Sequence, residues 1–275
     1  MNPWLETVGI VFAAFAGVCA GGCFSRLPRW YWALGYAVGF GLLGILLLPR
    51  LDNTLIFQQP FFWLTASRIK FVVLCLAVTI GLTTPISRLP HKTERLLVVA
   101  LMIIVVSWFC VLPFLFPALL EKKLSSMKPI FDTNGICYQS TNYTCGPASA
   151  VTALKRLGFQ ATEARIAVMS RSNPVTGTLT GSLVDTLESL YSNEGLKCQY
   201  RSFESPDQLK DAGVTLVMIR DTFFNDHCVA VIEVTNDKVT LADPVIGKMR
   251  ISYEHFNLIW RHCGIVLTRQ NQNNI

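Results

Sequence analysis

The segment that decides the fold of the second half of the chain is residues 139–148, which read QSTNYTCGPA. We predict a helix over residues 147–157, because proline is tolerated in the first turn of a helix and Gly158 is suited to end one. Cys145 then lies at the helix start, where unpaired N–H groups and the positive end of the dipole stabilise a thiolate. This position is typical of a nucleophile, and a buried structural thiol is the alternative.

A base for this thiol is expected further along the chain. His227 opens a predicted strand over residues 227–234, and Asp243 follows a predicted strand over residues 238–242, with a turn at 235–237 between them. In an antiparallel hairpin the start of one strand lies beside the end of the next, so an imidazole and a carboxylate can meet there. Cys145, His227 and Asp243 are therefore candidates for nucleophile, base and orienting group. A core histidine and a loop carboxylate are the alternatives.

The remaining pattern after residue 128 predicts a mixed α+β domain. Hydrophobic periodicity indicates helices over residues 162–169, 182–191 and 253–259, with a short one after Ser205-Pro206. Strands are expected over residues 214–220, 249–252 and 264–268. Helices thus come first, and an antiparallel sheet follows.

The first 124 residues have a different character. The chain as a whole is 51% hydrophobic and 15% charged, with a mean hydropathy of +0.41, which excludes a wholly soluble globular protein. Four apolar runs, near residues 5–24, 30–48, 69–86 and 96–120, are predicted to cross a membrane as helices. The predicted fold class is an all-α transmembrane bundle of about four helices over residues 1–124, acting as an anchor, followed by the α+β domain over residues 128–275.

Small residues recur every fourth position within the first two spans. They are Ala13, Gly17 and Gly21 in the first span and Gly35 and Gly39 in the second. Such spacing puts small side chains on one helix face and favours close helix packing in a membrane.

The net charge of +6 lies entirely in the apolar half, which holds 10 Lys/Arg and 4 Asp/Glu. Short basic loops between apolar runs are the pattern of a membrane protein, so we expect no nucleic-acid partner. The basic residues of the first and third loops favour a cytoplasmic place for those loops, which would put both termini outside. Lys122, Lys123 and the basic residues around the second loop reduce this bias. In the first loop the basic residues are Arg26 and Arg29, and in the third loop they are Arg88, Lys92 and Arg95.

Four motifs in the second half of the chain, taken in order, resemble those of a known protein family. Gln139 precedes Cys145-Gly146-Pro147, and His227-Cys-Val-Ala-Val-Ile-Glu-Val, Val239-Thr-Leu-Ala-Asp243-Pro244 and Tyr253-Glu-His-Phe-Asn-Leu-Ile-Trp260 follow. Over residues 130–268 the chain resembles the papain-like double-glycine leader peptidases (cysteine peptidase family 39) of bacteriocin exporters.

The resemblance implies a papain-like cysteine peptidase domain and a role for each matched residue. Cys145 would be the nucleophile, His227 the general base and then acid, and Asp243 the orienting group. Gln139 would donate to the oxyanion hole together with the Cys145 N–H. The implied substrate is a peptide or small protein cut after small residues, often a Gly-Gly pair.

Three departures from that family pattern stand out. Thr144 occupies the position before the cysteine where the exporters usually carry an acidic residue. No G-x-x-x-x-G-K-[ST] motif is present, so we expect a stand-alone peptidase without an ABC ATPase. The domain also follows the membrane spans, whereas in the exporters the peptidase comes first and works in the cytoplasm.

These observations lead to one leading interpretation. We expect an integral protein of the bacterial inner membrane whose peptidase domain faces outward, with a peptide or protein substrate, the lipid bilayer and a separate export machinery as partners. A peptide-binding or assembly subunit that does not use its papain-like groove for catalysis, and acyl transfer to an amine, are the alternatives. The compartment decides whether the other thiols of the domain pair as disulfides or stay reduced. These thiols are Cys137, Cys198, Cys228 and Cys263.

No cofactor or metal is expected. The dipeptides His227-Cys228 and His262-Cys263 suggest zinc ligands at first sight. Adjacent side chains on a strand diverge, however, and the sequence contains no Cys-x-x-Cys spacing.

Overall fold

The computed structural model describes residues 3–51, 55, 61–222 and 225–270. The chain forms two compact units, Met1–Leu119 and Leu120–Ile275.

Helices alone build the first unit as far as the structure describes it. Four segments are long and apolar enough to cross a membrane, namely Pro3–Ser25, Tyr31–Leu51, Ile69–Arg88 and Lys92–Ser125. The four predicted spans are therefore confirmed as helices. Their α-helical parts, with one short unpredicted helix (α3), are α1 Pro3–Ser25, α2 Leu34–Leu51, α3 Phe61–Ala66, α4 Ile69–Thr83, α5 Lys92–Val106 and α6 Leu112–Ser125.

Glycines let α4 pack closely against both α1 and α2. Gly17 and Gly21 of α1 contact Thr79 and Thr83, respectively, on α4. On α2, a side chain at Gly39 would begin 3.1 Å from the carbonyl oxygen of Ala77. The predicted role of these glycines in helix packing is confirmed, and α4 is the helix that joins the other two.

An ion pair also ties α1 to the beginning of α4. The Arg68 guanidinium donates to Glu6 Oε2 at 2.6 Å, and the two side chains are 16% and 10% exposed. The same guanidinium lies 5.3 Å from the centre of the Phe114 ring. Charges in an apolar bundle require such pairing, because an isolated charge in hydrocarbon costs several kcal/mol.

The second unit contains a six-stranded antiparallel sheet in the order β3-β8-β4-β5-β6-β7. Its strands are β3 Leu196–Ser202, β4 Val214–Arg220, β5 Asp226–Val234, β6 Lys238–Asp243, β7 Gly247–Ser252 and β8 Trp260–Arg269, and a separate two-stranded pair is β1 Ile130–Phe131 with β2 Cys137–Tyr138. The helices are α7 Cys145–Arg156, α8 Glu163–Met169, α9 Thr180–Tyr191 and α10 Tyr253–Ile259. The predicted α-helices, strands and antiparallel sheet are confirmed, and the short helix predicted after Ser205-Pro206 is a 3-10 helix, Pro206–Leu209. The strands β1, β2 and β3 are additional.

Two hydrophobic clusters cover the two faces of this sheet. One joins α7, α8 and α9 to the sheet through Leu154, Ile166 and Leu187. The other contains Phe256 of α10 and Trp260, whose rings stack 5.1 Å apart. Because the sheet is covered on both faces, β4 and most of β8 are buried at nearly every position, without the alternation of a half-exposed strand.

Gly21 and Gly22 provide a matched test of the packing between α1 and α4. A side chain at Gly21 would begin 2.9 Å from the backbone oxygen of Ile80, whereas no described atom lies within 4 Å of the same point at Gly22. We expect Gly21→Val to lower the free energy of unfolding by about 1–3 kcal/mol through overpacking. Gly22→Val should change it by less than about 0.5 kcal/mol. Thermal unfolding of the full chain in detergent measures both, and equal losses would contradict the packing described.

Candidate active site

A β-bulge in the hairpin of β5 and β6 places His227 and Asp243 on one face of the sheet. Val231 pairs with Leu241, but Glu233 pairs with Thr240, so Ile232 is an extra residue. The register beyond Val231 sets Asp243 opposite Val229, which shares a face with His227, two residues away. Without the bulge, Asp243 would lie opposite Ala230 and would face away from His227, because a one-residue slip inverts every side chain.

His227 and Asp243 are joined by a hydrogen bond. Nε2 of His227 lies 3.1 Å from Oδ1 of Asp243, and the two side chains are 19% and 7% exposed. The same carboxylate oxygen accepts the N–H of Val245 at 2.7 Å and the N–H of Ile246 at 3.4 Å. The sharp turn after β6 therefore fixes the carboxylate that orients the ring.

Electrostatics favour the charged forms of both groups. Burial by itself lowers the pKa of His227, but hydrogen bonds to Asp243 and to Cys145 outweigh it and raise that pKa to about 10. Burial likewise disfavours ionisation of Asp243, yet the hydrogen bonds from His227 and from the Val245 N–H bring its pKa below the ordinary value. Since Nε2 faces Asp243, Nδ1 is the ring nitrogen left for Cys145.

Cys145 is the first residue of α7 and is partly exposed. One turn further along the helix, the Ser149 hydroxyl donates to the backbone oxygen of Cys228 at 2.9 Å. Cys228 follows His227 directly, so this bond fixes α7 against β5 at the level where the sulfur meets the imidazole. The first N–H groups of a helix have no intrahelical acceptor and are available to stabilise negative charge.

The other thiols of the domain have a different environment. Burial raises the pKa values of Cys137 and Cys198 to about 12, and it raises the pKa of Cys228 well above its ordinary value. Cys137, Cys145, Cys198 and Cys228 are all free thiols. Among the thiols of the second unit, Cys145 combines partial exposure with a place beside His227, whose pKa it helps to raise.

Gln139 lies beside the segment that follows β6. Its N–H donates to the backbone oxygen of Pro244 at 2.9 Å, which holds it next to Asp243. Its side-chain Oε1 is buried and has no hydrogen-bond partner among the described residues. An unpaired buried amide oxygen is unusual in a folded protein. The NH₂ group of the same side chain is the part that could donate to an oxyanion.

Thr144 occupies the position where the exporters carry an acidic residue. It is fully buried, and its hydroxyl accepts the N–H of Thr141 at 3.2 Å and donates to the Thr141 carbonyl at 3.1 Å. The side chain thus closes the turn that leads into α7. The next residue is Gly146, where a larger residue would be crowded, because its Cβ would lie 3.2 Å from Cβ of Thr178.

Sequence reasoning did not identify two buried ionic groups near these residues. Arg261 donates through Nε to Asp226, the residue before His227, at 2.8 Å. Glu163 accepts two hydrogen bonds from Ser140, the residue after Gln139. Neither residue has a motif around it, and the sequence shows only that an acidic residue starts α8, which is common on exposed helices.

Comparison with protein families gives this geometry a context. A sequence model of the peptidase C39 family matches residues 133–274, about half of the chain. The chain belongs to the peptidase C39 family. The match begins after the apolar unit and covers the C39 domain with Gln139, Cys145, His227 and Asp243.

Similar curated proteins match the same region. An uncharacterized protein of Methanothermobacter marburgensis is 28% identical over 144 residues, which are 52% of this chain and 95% of that protein. An uncharacterized protein of Methanothermobacter thermautotrophicus is 30% identical over 134 residues, which are 49% of this chain and 88% of that protein.

Solved structures similar to the C39 domain come from several sources. The peptidase domain of Streptococcus ComA, a bifunctional ABC transporter of a quorum-sensing pathway, is 22% identical with a TM-score of 0.42, covering 48% of this chain and 96% of that one. A double-glycine-motif protease from an AMS/PCAT transporter, solved with its leader peptide, is 18% identical with a TM-score of 0.41, covering 52% and 93%. A putative C39-like peptidase of Bacillus anthracis is 13% identical with a TM-score of 0.42, covering 53% and 100%.

The pKa of His227 predicts how the effect of Asp243→Asn on stability depends on pH. A pKa raised from 6.5 to about 10 contributes stability that is complete below pH 6.5 and is lost as the pH rises through about 10. We therefore expect Asp243→Asn to destabilise the protein most below pH 6.5 and progressively less toward pH 10. Denaturant unfolding of both proteins across this range measures the difference.

An exposed aspartate provides the control for this experiment. Asp211→Asn removes the same charge from the surface of the same unit and should give a small effect that varies little with pH. A destabilisation by Asp243→Asn that stays constant from pH 6.5 to pH 10 would contradict the raised pKa of His227.

Proposed function

We propose that this chain is a membrane-anchored cysteine peptidase in which Cys145 is the nucleophile and His227 its acid–base partner. The observation that carries the proposal is the His227–Asp243 hydrogen bond, in a domain of a peptidase family, with Cys145 near enough to help raise the pKa of His227. Asp243 orients the ring and stabilises its charged form. Gln139 and the Cys145 N–H are proposed to hold the oxyanion.

The acylation step follows from this arrangement. The Cys145 thiolate attacks the carbonyl carbon of the scissile bond, and the carbonyl electron pair moves to the oxygen, which the oxyanion hole stabilises. As the tetrahedral intermediate collapses, the C–N bond breaks and His227 gives its proton to the departing amine. The products of this step are a free amine and a thioester on Cys145.

In deacylation His227 acts as a base, whereas at the end of acylation it acts as an acid. A water molecule attacks the thioester carbon while the now neutral His227 accepts its proton. Collapse of the second intermediate breaks the C–S bond, releases the carboxylic acid and regenerates the thiolate beside the imidazolium. An amine in place of water would give acyl transfer through the same residues, and product analysis with added amines separates the two reactions.

The proposed substrate is a peptide or small protein cut after small residues such as a Gly-Gly pair. Membership of the family supports a peptide substrate, and one similar structure is a double-glycine-motif protease with its leader peptide. Four helices able to cross a membrane favour substrates that arrive at the bilayer, for example from a separate export machinery.

We infer that the C39 domain lies outside the cytoplasm. Loops containing Arg26, Arg29 and Arg88 favour the cytoplasm, and on the opposite side Glu6 neutralises Arg68. A reporter fused to the C-terminus that is active only outside the cytoplasm should therefore be active. Activity confined to a cytoplasmic reporter would reverse the orientation and make processing before export the favoured task.

Replacement of Cys145 tests the peptidase activity itself. We expect Cys145→Ala to lower kcat on a fluorogenic Gly-Gly peptide by at least about 10³-fold, because no other group supplies the nucleophile. Cys198→Ala, which removes a partly buried thiol of β3, is the matched control and should leave kcat within about twofold. Cleavage that is unchanged in Cys145→Ala would instead favour a peptide-binding subunit that does not use the site for catalysis.

A further inference from the structure

We propose that Glu163 is a positioning residue for the oxyanion hole, acting through Ser140 on Gln139. This inference rests on the proposed function, since it concerns the geometry of that same site. Glu163 belongs to α8, and none of the sequence motifs discussed above includes it. Its effect on catalysis would be indirect, through the backbone of the segment that leads into α7.

Both carboxylate oxygens of Glu163 bind the same residue. Oε1 accepts the Ser140 N–H at 2.8 Å, and Oε2 accepts the Ser140 hydroxyl at 2.6 Å. The residue is 0% exposed, although a buried carboxylate is costly unless hydrogen bonds satisfy it. A charged acceptor makes both bonds shorter and stronger than those between neutral groups. Ser140 is therefore held at its backbone and at its side chain.

Gln139 lies between this carboxylate and a second anchor. On its other side, its own N–H donates to the carbonyl oxygen of Pro244 at 2.9 Å, immediately after Asp243. The two neighbouring N–H groups of Gln139 and Ser140 are thus fixed to different parts of the domain. Because the backbone is fixed on both sides of Gln139, the direction of its carboxamide changes only through rotation about its side-chain bonds.

The state of the Gln139 carboxamide shows why such anchoring is needed. Its buried Oε1 has no hydrogen-bond partner among the described residues. An unsatisfied buried polar atom has lost its hydration without a replacement, which favours a rearrangement toward solvent. The Glu163 carboxylate opposes that rearrangement by holding Ser140 in place.

The full-length protein, purified in detergent, allows a direct test with the Gly-Gly peptide as substrate. Glu163→Ala removes both acceptors and should lower kcat by about 10- to 100-fold with KM within about threefold, because a displacement near 1 Å at an oxyanion donor has that scale of effect. Glu163→Gln keeps an oxygen for the Ser140 N–H and should retain most of the activity. Ser140→Ala removes only the bond to Oε2 and should give a smaller loss than Glu163→Ala.

Two readouts separate positioning from a general structural role. The rate of alkylation of Cys145 by iodoacetamide needs no oxyanion hole and should be unchanged in Glu163→Ala. In the background of Gln139→Ala, which itself should lower kcat by about 10²- to 10³-fold, Glu163→Ala should cost little more. Additive losses, a parallel loss of alkylation, or a wild-type kcat in Glu163→Ala would each overturn the inference. If Glu163→Ala does not fold, the same cycle with Ser140→Ala decides the question.

Hydrogen exchange distinguishes failure of this inference from failure of the proposed function. The Ser140 amide should exchange slowly in the wild type and in Glu163→Gln, which keeps its acceptor, and at least about tenfold faster in Glu163→Ala. Equal exchange rates would overturn the role of Glu163 whether or not the protein cleaves peptides. A wild type that does not cleave, with the exchange difference present, would contradict the peptidase proposal alone.

Discussion

The hydrogen bond between His227 and Asp243 is the interaction on which the rest of the candidate site depends. It exists because one extra residue, Ile232, shifts the register between β5 and β6. Side chains on a strand alternate between faces, so the shift turns His227 toward the carboxylate instead of away from it. Every consequence for the imidazole, including its raised pKa and its contact with Cys145, follows from this local irregularity.

A second constraint is that the proposed nucleophile and its proposed base come from different layers of the domain. Cys145 lies on a helix and His227 on a strand, and their separation is set by how α7 packs on β5. Small residues allow that packing to be close, and the Ser149 hydroxyl fixes its register through the Cys228 carbonyl. The site is thereby supported by rigid elements, while the loop from Gln139 to Thr144 is held by buried polar contacts.

Sequence reasoning predicted the elements more completely than their connections. The apolar spans, the helix at Cys145 and the strands at His227 and Asp243 follow from hydropathy and periodicity, because these patterns are local. The strand β3 was not predicted, although Leu196, Cys198 and Tyr200 alternate with polar residues, which is the period-two signal of a half-buried strand. Its partner β8 is distant in sequence. The sequence also could not show that His227 and Asp243 lie on the same face of the sheet. This depends on the bulge at Ile232, and an isoleucine gives no sign of a bulge. The burial of Glu163 and Arg261 depends on tertiary contacts, which composition does not reveal.

The central claim is that His227 is an imidazolium held between Asp243 and Cys145, and NMR titration of its ring nitrogens tests this most directly. In the wild type the ring should titrate with a pKa near 10, with Nε2–H shifted by its bond to Asp243. In Asp243→Asn and in Cys145→Ala that pKa should fall toward 6.5. A wild-type pKa near 6.5 that neither substitution changes would contradict the account.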